Sequence, residues 1–520
     1  MHKPKVVILG TGWASIAALN KLDRDKYESI TVISPRNSFL FTPLLPCTAV
    51  GTLSHTSVAI PIRDITSYKR YLPPTIEYAY AYASEIDPLT KQIKCNHSGQ
   101  FSNHSSEFTI GYDKLIMSVG CKTNTWNTPG VEEHCHYLKE SGDAILMRQQ
   151  IIENLELASL PNMTDADKNR LLSFYIVGGG PTGVELAAEL SDLLHEDIAN
   201  QQHSFFRGVK ADMSNVSVTL VQSAPKLLPG FPHQIQDFCQ SHLNKESKVD
   251  VMLNTRVTGV SDTTMELYDK HTKTTRNVPY GLVVWTAGVQ PTDIAHSLLK
   301  EINSVTTLND TTIQTDSHCR VLGAPDIFAV GDCADIVLLP EYMKYVTDLF
   351  QNKLTLQQAI DPPPPPLPPV LSRSSPTQRL VKRILADLEK LVVENNIQLD
   401  FETVEKIVEE RCSRQKHLPP TAQVAQQQGH YVADLLNNSV IDMYHNDEST
   451  SFQYLNRGQL VYVGAHVASM ALPGTNDIDV TWAGTATNFV WHAAYFGMLE
   501  STTGRYELAV DWIKSYVFGR

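Results

Sequence analysis

Closely spaced cysteines are missing from this sequence. The eight cysteines stand at 47, 95, 121, 135, 239, 319, 333 and 412, with no two nearer than 14 residues. That leaves no CxxC pair for a zinc ribbon or a thioredoxin-like redox centre, and it suits a reducing compartment. Long hydrophobic runs are missing too: the longest candidate, Phe489 to Met498, is interrupted by His492. A membrane-crossing helix needs roughly 18 apolar residues, so a span is excluded. Positive charge is scarce, with 43 basic against 56 acidic residues and a net charge of -13. Such a field repels polyanions and makes nucleic acid a poor partner. The N-terminus has neither a secretory apolar region nor an Arg- and Ser-rich leader, so any presequence is expected to have been removed or never to have existed. The remaining composition, 42% apolar and 19% charged over 520 residues, is that of a globular chain. At roughly 150 residues per domain, two to four domains fit.

The sequence contains its own repeat. Gly10-Thr11-Gly12-Trp13-Ala14-Ser15 closes the apolar run Val6 to Leu9, and 168 residues later Gly178-Gly179-Gly180-Pro181-Thr182-Gly183 closes Phe174 to Val177. The run Tyr112 to Gly120 returns at the same offset of 168 as Tyr280 to Gly288. Two landmarks sharing one offset predict that one α/β nucleotide-binding plan occurs twice. A strand entering a helix through glycines offers unpaired N–H groups and the positive end of the helix dipole, where a pyrophosphate binds. One such motif is weak; two in strand and helix context are strong.

The end of the second strand in each half usually carries an acid for a ribose 2′-hydroxyl. Neither half has it: the first ends in Ser34-Pro35-Arg36, the second in Gln222. Neutral Gln222 would not repel a 2′-phosphate, so NADPH is expected to be tolerated beside NADH. The plainer reading is that Gln222 ends a strand.

These phrases, with Phe41-Thr42-Pro43-Leu44-Leu45-Pro46, Phe328-Ala329-Val330-Gly331-Asp332 and Pro420-Thr421-Ala422-Gln423-Val424-Ala425-Gln426-Gln427, together resemble the type II NADH:quinone oxidoreductases, or alternative NADH dehydrogenases, of the eukaryotic mitochondrial type. The likeness covers most of the chain, and the Pro420 phrase is its most diagnostic part. It implies two Rossmann-like dinucleotide-binding domains, for non-covalent FAD and for NADH, with a C-terminal membrane-associating segment. It also implies hydride transfer from NADH to FAD and of two electrons to ubiquinone, without proton pumping, by a monotopic homodimer on the mitochondrial inner membrane.

Carried over residue by residue, the resemblance gives Gly10, Gly12, Trp13, Ser15, Ser34 and Arg36 to the adenosine and pyrophosphate of FAD. Thr42, Pro43 and Leu44 would lie against its ring system, and Asp332 would bind its ribityl chain. Gly178, Gly180, Thr182 and Gly183 would hold the NADH pyrophosphate, with Gln222 at the ribose and Glu185 facing the nicotinamide. Gly120 and Gly288, closing the second landmark of each half, are also assigned to the cofactors. Glu185 equally suits a first-turn acid complementing the helix dipole, and Asp332 suits an N-cap.

Thr421 is a candidate N-cap after Pro419-Pro420, which places Ala422 and Gln423 at an electropositive helix start aimed at the flavin. Gln423 and Gln427 are four apart and share a face, where their amides would meet quinone carbonyls; an exposed polar stripe is the alternative. In the tail, apolar residues 508, 509, 512, 513, 516 and 517 recur at helical spacing with Asp511 and Lys514 off the stripe. That predicts an interfacial helix, or else a dimer or core helix.

The expected organisation is an FAD-binding domain at 1–140 and 301–336, an NADH-binding domain at 141–300, an insertion at 337–417, a flavin and quinone helix region at 418–450, and an anchoring and dimerisation region at 451–520. The insertion holds seven prolines in the nine residues Asp361 to Pro369, flanked by helical patterns at 341–360, 380–394 and 401–411. No DxDxDG loop occurs, so calcium binding is not supported, and no metal site is expected. Disulfide reductases need a cysteine pair where this chain has only Cys47. The alternatives kept open are a sulfide:quinone type, through Cys319 and Cys333, and a redox signalling protein like apoptosis-inducing factor.

Overall fold

This computed structural model describes residues 3–67, 76–98, 107–198, 213–303, 312–337, 418–439, 451–473, 479–499 and 501–518. The expected insertion at 337–417, with its prolines and helical patterns, lies outside the described residues apart from residue 337. The chain divides into two compact units. One takes Met1–Asn37, Lys69–Cys121 and Pro291–Leu455; the other takes Ser38–Tyr68, Lys122–Gln290 and Asn456–Arg520.

The first unit is built on a ten-stranded sheet. At its centre Lys5–Leu9 runs parallel to Ser29–Ser34 on one side and Lys114–Met117 on the other, with Val6 opposite both Ile30 and Lys114. Ile76–Asp87 and Ala324–Ala329 extend the parallel set outwards. Val6 to Leu9 are all buried, as a strand covered on both faces requires, which explains an unbroken apolar run in place of alternation. Helix Asp293–Asn303 sends Ala295, Leu298 and Ile302 into a cluster with Val7, Leu9 and Ile327. Helix Ala422–Ser439 packs along helix Trp13–Lys21. Gly429 permits that approach, since a Cβ there would stand 2.2 Å from the Ala14 carbonyl oxygen.

The second unit repeats the plan. Ser173–Val177 lies parallel between Ser217–Val221 and Leu282–Trp285, with Phe174 opposite Val218 and Leu282. From residue 5 to 173 and from 114 to 282 the offset is the same, so both landmark strands and their register recur. Turn contacts recur as well: Ser118 N donates to Leu9 O and Thr286 N to Val177 O, while Gly10 N donates to Ile33 O and Gly178 N to Val221 O. A three-stranded antiparallel sheet, Thr255–Val260, Thr264–Asp269 and Thr274–Pro279, belongs to this unit. So does a second one, Gln459–Gly464, Val467–Leu472 and Val480–Gly484, followed by helices Thr485–Met498 and Thr502–Phe518.

These units cut the chain differently from the expected boundaries. Residues 38–68 and 122–140 join the second unit, and 291–300 joins the first. The reason is packing: helix Leu45–Val50 is buried throughout and lies against helices Ser141–Ala158 and Pro181–Asp192. Among the described residues no helix is long and apolar enough to cross a membrane.

Candidate functional site: two glycine cradles and a glutamine helix

In the first unit the cradle is made by Gly10, Thr11 and Gly12. Gly10 has φ +105°, and a Cβ there would stand 2.5 Å from the Ser118 carbonyl oxygen, so only glycine fits. Gly12 is the extended N-cap of helix Trp13–Lys21, with no side-chain cap and open space where a Cβ would point. An N-terminus of this kind offers its N–H groups to an anion. Ser34 sits at the strand end as expected, but its hydroxyl is shared with Thr11 Oγ1 at 3.2 Å and accepts from Arg36 N at 3.1 Å. Ser15 is turned inward: its Oγ lies 2.6 Å from Ser118 Oγ. It therefore ties helix Trp13–Lys21 to the end of strand Lys114–Met117; at the equivalent place in the second unit Gly183 lies close to Thr286. Gly120 has φ +64° and open space at its Cβ position. Trp13 and Arg36 are half-buried.

Asp332 lies in the turn Gly331–Cys333 after strand Ala324–Ala329, half-buried, with Cys121 Sγ donating to its Oδ2 at 3.2 Å. Gln428 holds this turn in place: it is 2% exposed, and its Oε1 accepts from Gly331 N at 2.7 Å. Reasoning from sequence passed over Gln428 as one glutamine among several. The available signal was its position five residues after Gln423, on a different face from Gln423 and Gln427. The helix itself starts as predicted, with Val424 N donating to Thr421 Oγ1 at 3.4 Å. Ala422 and Gln423 occupy its half-buried first turn.

Gln423 and Gln427 do share a face, but protein groups already engage their amides. Gln427 Nε2 donates to Leu455 O and Gln427 Oε1 accepts from Leu455 N, both at 2.9 Å, the pairing of one strand with another. Tyr454 OH donates to Gln423 Oε1 at 3.4 Å. Both amides therefore also tie the helix to the segment at Tyr454 and Leu455. The Leu455 N–H and C=O match the Gln427 amide in both directions and use one of its two N–H donors and one of its two lone pairs.

In the second unit Gly178 has φ +119°, and a Cβ on Gly183 would stand 1.9 Å from the Gly178 carbonyl oxygen. Helix Pro181–Asp192 starts at Gly180 with proline in its first turn, no side-chain cap, and Pro181 and Thr182 exposed. Gln222 follows strand Ser217–Val221, where its Oε1 accepts from Gly179 N at 3.2 Å and its Nε2 donates to Lys226 O at 3.3 Å. Gln222 therefore braces the glycine turn, and the plainer reading of it holds alongside any ligand role. Gly288 has φ +76° and lies close to Trp126 and Asn124. Thr42–Leu44 forms a short 3-10 turn in this unit with Leu44 buried.

Glu185 does not line an open face. It is 6% exposed, and its Oε1 accepts from Tyr462 N at 3.2 Å and Trp491 Nε1 at 3.4 Å. Burial pushes its carboxyl up to about 8, against the two donors, with the charge of Glu189 adding to the rise. One face of the helix carries two more buried acids that the sequence reading did not single out. Glu189 accepts from Thr52 Oγ1 and Cys47 Sγ, and Asp192 accepts from Tyr462 OH and Ala465 N. The spacing Glu185, Glu189, Asp192 on an otherwise apolar helix was the readable signal.

The seven described cysteines are free thiols. Burial pushes Cys333 up to about 12 and raises Cys319 further, which leaves neither as a ready thiolate and disfavours the sulfide:quinone alternative. In the tail helix Leu508 is buried, while Ile513, Tyr516, Val517 and Phe518 are exposed. Asp511, off the apolar stripe, is buried, accepting from Ser54 N at 2.8 Å and Ser57 Oγ at 2.6 Å.

The pyridine nucleotide-disulphide oxidoreductase family matches residues 4–359, and the NDH2 C-terminal domain matches residues 456–520. Over its whole length the chain is 34% identical to the mitochondrial external alternative NAD(P)H-ubiquinone oxidoreductase B2 of Arabidopsis thaliana, covering 89% of that protein. It is 30% identical, again over its whole length, to the mitochondrial external NADH-ubiquinone oxidoreductase 2 of Saccharomyces cerevisiae, covering 82% of it. The structure of NDH2 from Plasmodium falciparum in complex with NADH superposes with a TM-score of 0.80 at 27% identity, covering 100% of this chain and 99% of that one. The chain belongs to the pyridine nucleotide-disulphide oxidoreductases and, within them, to the alternative NAD(P)H-ubiquinone oxidoreductases, the type II NADH dehydrogenases.

Proposed function

We infer that the protein is an FAD-dependent NADH:ubiquinone oxidoreductase that pumps no protons and works as a peripheral protein of the mitochondrial inner membrane. The observation that carries this reading is the repeated cradle, in which a parallel strand passes through glycine into a helix whose first turn is uncapped, once in each unit. The residues present in the first unit suit FAD: Gly12 leaves open space before a helix start, and Asp332 stands at a strand end on a turn pinned by Gln428. FAD, when bound, supplies acceptance of hydride from NADH and release of two electrons to ubiquinone.

Gly10, Gly12 and Trp13 would take the FAD pyrophosphate, Ser34 and Arg36 the adenosine end, and Asp332 the polyol. Gly178, Gly180, Thr182 and Gly183 would take the pyrophosphate of NADH. The helix start at Ala422 would place partial positive charge towards reduced flavin with no ionisable side chain. Gln423 and Gln427, on one face of that helix, are the candidates for the quinone carbonyls. Because Gln222 replaces an acid, NADPH is accepted as well. Exposed Ile513, Tyr516, Val517 and Phe518, with Phe489 on the preceding helix, favour seating on a lipid surface; a homodimer through the C-terminal region is the accompanying expectation. Anaerobic addition of NADH should bleach the flavin absorbance, and ubiquinone should restore it. Purified protein without bound flavin that resists reconstitution would sink the reading.

A further inference from the structure

Helix Ser141–Ala158, the stretch 48–55 and the tail helix Thr502–Phe518 line an open cavity of about 540 Å³ in the second unit. It shares no lining residue with the Gly178–Gly183 turn. Arg148 reaches into it across Gly51, the left-handed C-cap of helix Leu45–Val50, where a Cβ would fall 1.0 Å from Nη1. Glycine at 51 is thus what gives the guanidinium its place. Lys514 and Ser515 enter from the tail helix, and Gln149, His55 and the hydroxyls of residues 48, 52 and 54 add polar groups beside an apolar wall.

The charges around this cavity do not cancel. Burial lowers the pKa of Arg148. Among the described residues it has neither an ion pair nor a hydrogen bond. Asp511 also lines the cavity, but its Oδ2 is taken by Ser54 N and Ser57 Oγ, and its Oδ1 lies 3.6 Å from Lys514 Nζ. It therefore balances Lys514 and leaves Arg148 uncompensated. A half-buried guanidinium without an anion is unfavourable, and its planar fork is made for a phosphate or carboxylate. Lys514 and Ser515 line the same space, so a second cation and a hydroxyl stand with the Arg148 fork, the donor set that a phosphate takes.

We propose that this cavity is a phosphate-binding site, with Arg148 as the principal ligand and Lys514 as its partner. The phosphate belongs to a phospholipid headgroup or to a free phosphate. The first source rests on the membrane-surface reading above: Ile513, Tyr516 and Val517 are exposed on the same helix that brings Lys514 and Ser515 to the cavity.

The test uses the full FAD-loaded chain as wild type, Arg148→Gln, Arg148→Lys and Lys514→Ala, titrated calorimetrically with sodium phosphate at fixed ionic strength. The expectation is saturable binding by wild type, about tenfold weaker in Arg148→Gln, the loss typical of one charge-assisted hydrogen-bonding partner, and partly restored in Arg148→Lys. Wild type that binds no phosphate, or Arg148→Gln that binds it equally well, overturns the proposal. Should Arg148→Gln lose its flavin, Lys514→Ala decides: weaker phosphate binding supports the site and unchanged affinity overturns it.

Co-sedimentation with phosphatidylcholine vesicles, with and without phosphatidylglycerol, separates the sources. A headgroup site requires Arg148→Gln to lose affinity for the phosphatidylglycerol vesicles; unchanged vesicle binding beside weakened phosphate binding assigns the site to free phosphate. Oxidation of NADH by a water-soluble quinone should be equal in all four proteins. Its absence from all of them would strike the proposed function and leave the phosphate titration standing.

Discussion

Gln428 illustrates how one buried amide pins a turn. Truncating it to alanine leaves Gly331 N without its acceptor, a loss of about 1–3 kcal/mol for a buried donor. Gln428→Ala should therefore lower the melting temperature and speed FAD release, measured by flavin fluorescence, while Gln428→Glu keeps an acceptor and recovers part of both. Glu185 makes a prediction about pH. Its folded carboxyl titrates at about 8 against an ordinary value of 4.5. The folded state thus holds more protons than the unfolded one between those values, and stability falls as pH rises through that window. Glu185→Gln should flatten the decline of melting temperature between pH 5 and 8, with little change below pH 4.5. An unaltered slope would mean that the Tyr462 and Trp491 donors already offset its burial.

At the scale of the element, helix Ala422–Ser439 has its start and its crossing set by different residues. Thr421→Ala should cost about 1 kcal/mol, as loss of an N-cap does. Gly429→Ala forces a methyl to within 2.2 Å of the Ala14 carbonyl oxygen and so pushes two helices apart. Overpacking of this kind costs about 1–3 kcal/mol. It should loosen FAD as well, because the same helix carries Gln428; thermal melting and flavin retention would report both. The tail helix follows another rule. Its apolar positions divide between Leu508, buried inwards, and Ile513, Tyr516 and Val517, turned outwards, while Asp511 is drawn inside by the N–H of Ser54 and the hydroxyl of Ser57.

For the whole molecule, membrane attachment is best tested by changing surface and leaving the fold intact. Deleting Thr487 onward removes Trp491, which donates to buried Glu185, so loss of binding would be confounded by unfolding. Replacing Ile513, Tyr516, Val517 and Phe518 with serine should release the protein from vesicles and impair turnover with long-tailed quinones, leaving turnover with a water-soluble quinone unchanged. Vesicle binding that survives the fourfold change would place the lipid-facing surface elsewhere.

The doubled architecture was legible in the residues because a strand buried on both faces must read as an unbroken apolar run, and a turn at φ of 105° or 119° must read as glycine. Val6–Leu9 with Gly10 and Phe174–Val177 with Gly178 obey both rules at one offset. The N-cap at Thr421 was legible for the same local reason. What only tertiary structure decided are partnerships between residues far apart in sequence: Gln427 with Leu455, Glu185 with Tyr462 and Trp491, Asp511 with Ser54 and Ser57, and Arg148 over Gly51. A side chain's type and spacing state which bonds it is able to make; which group satisfies it depends on the segment that packing brings alongside.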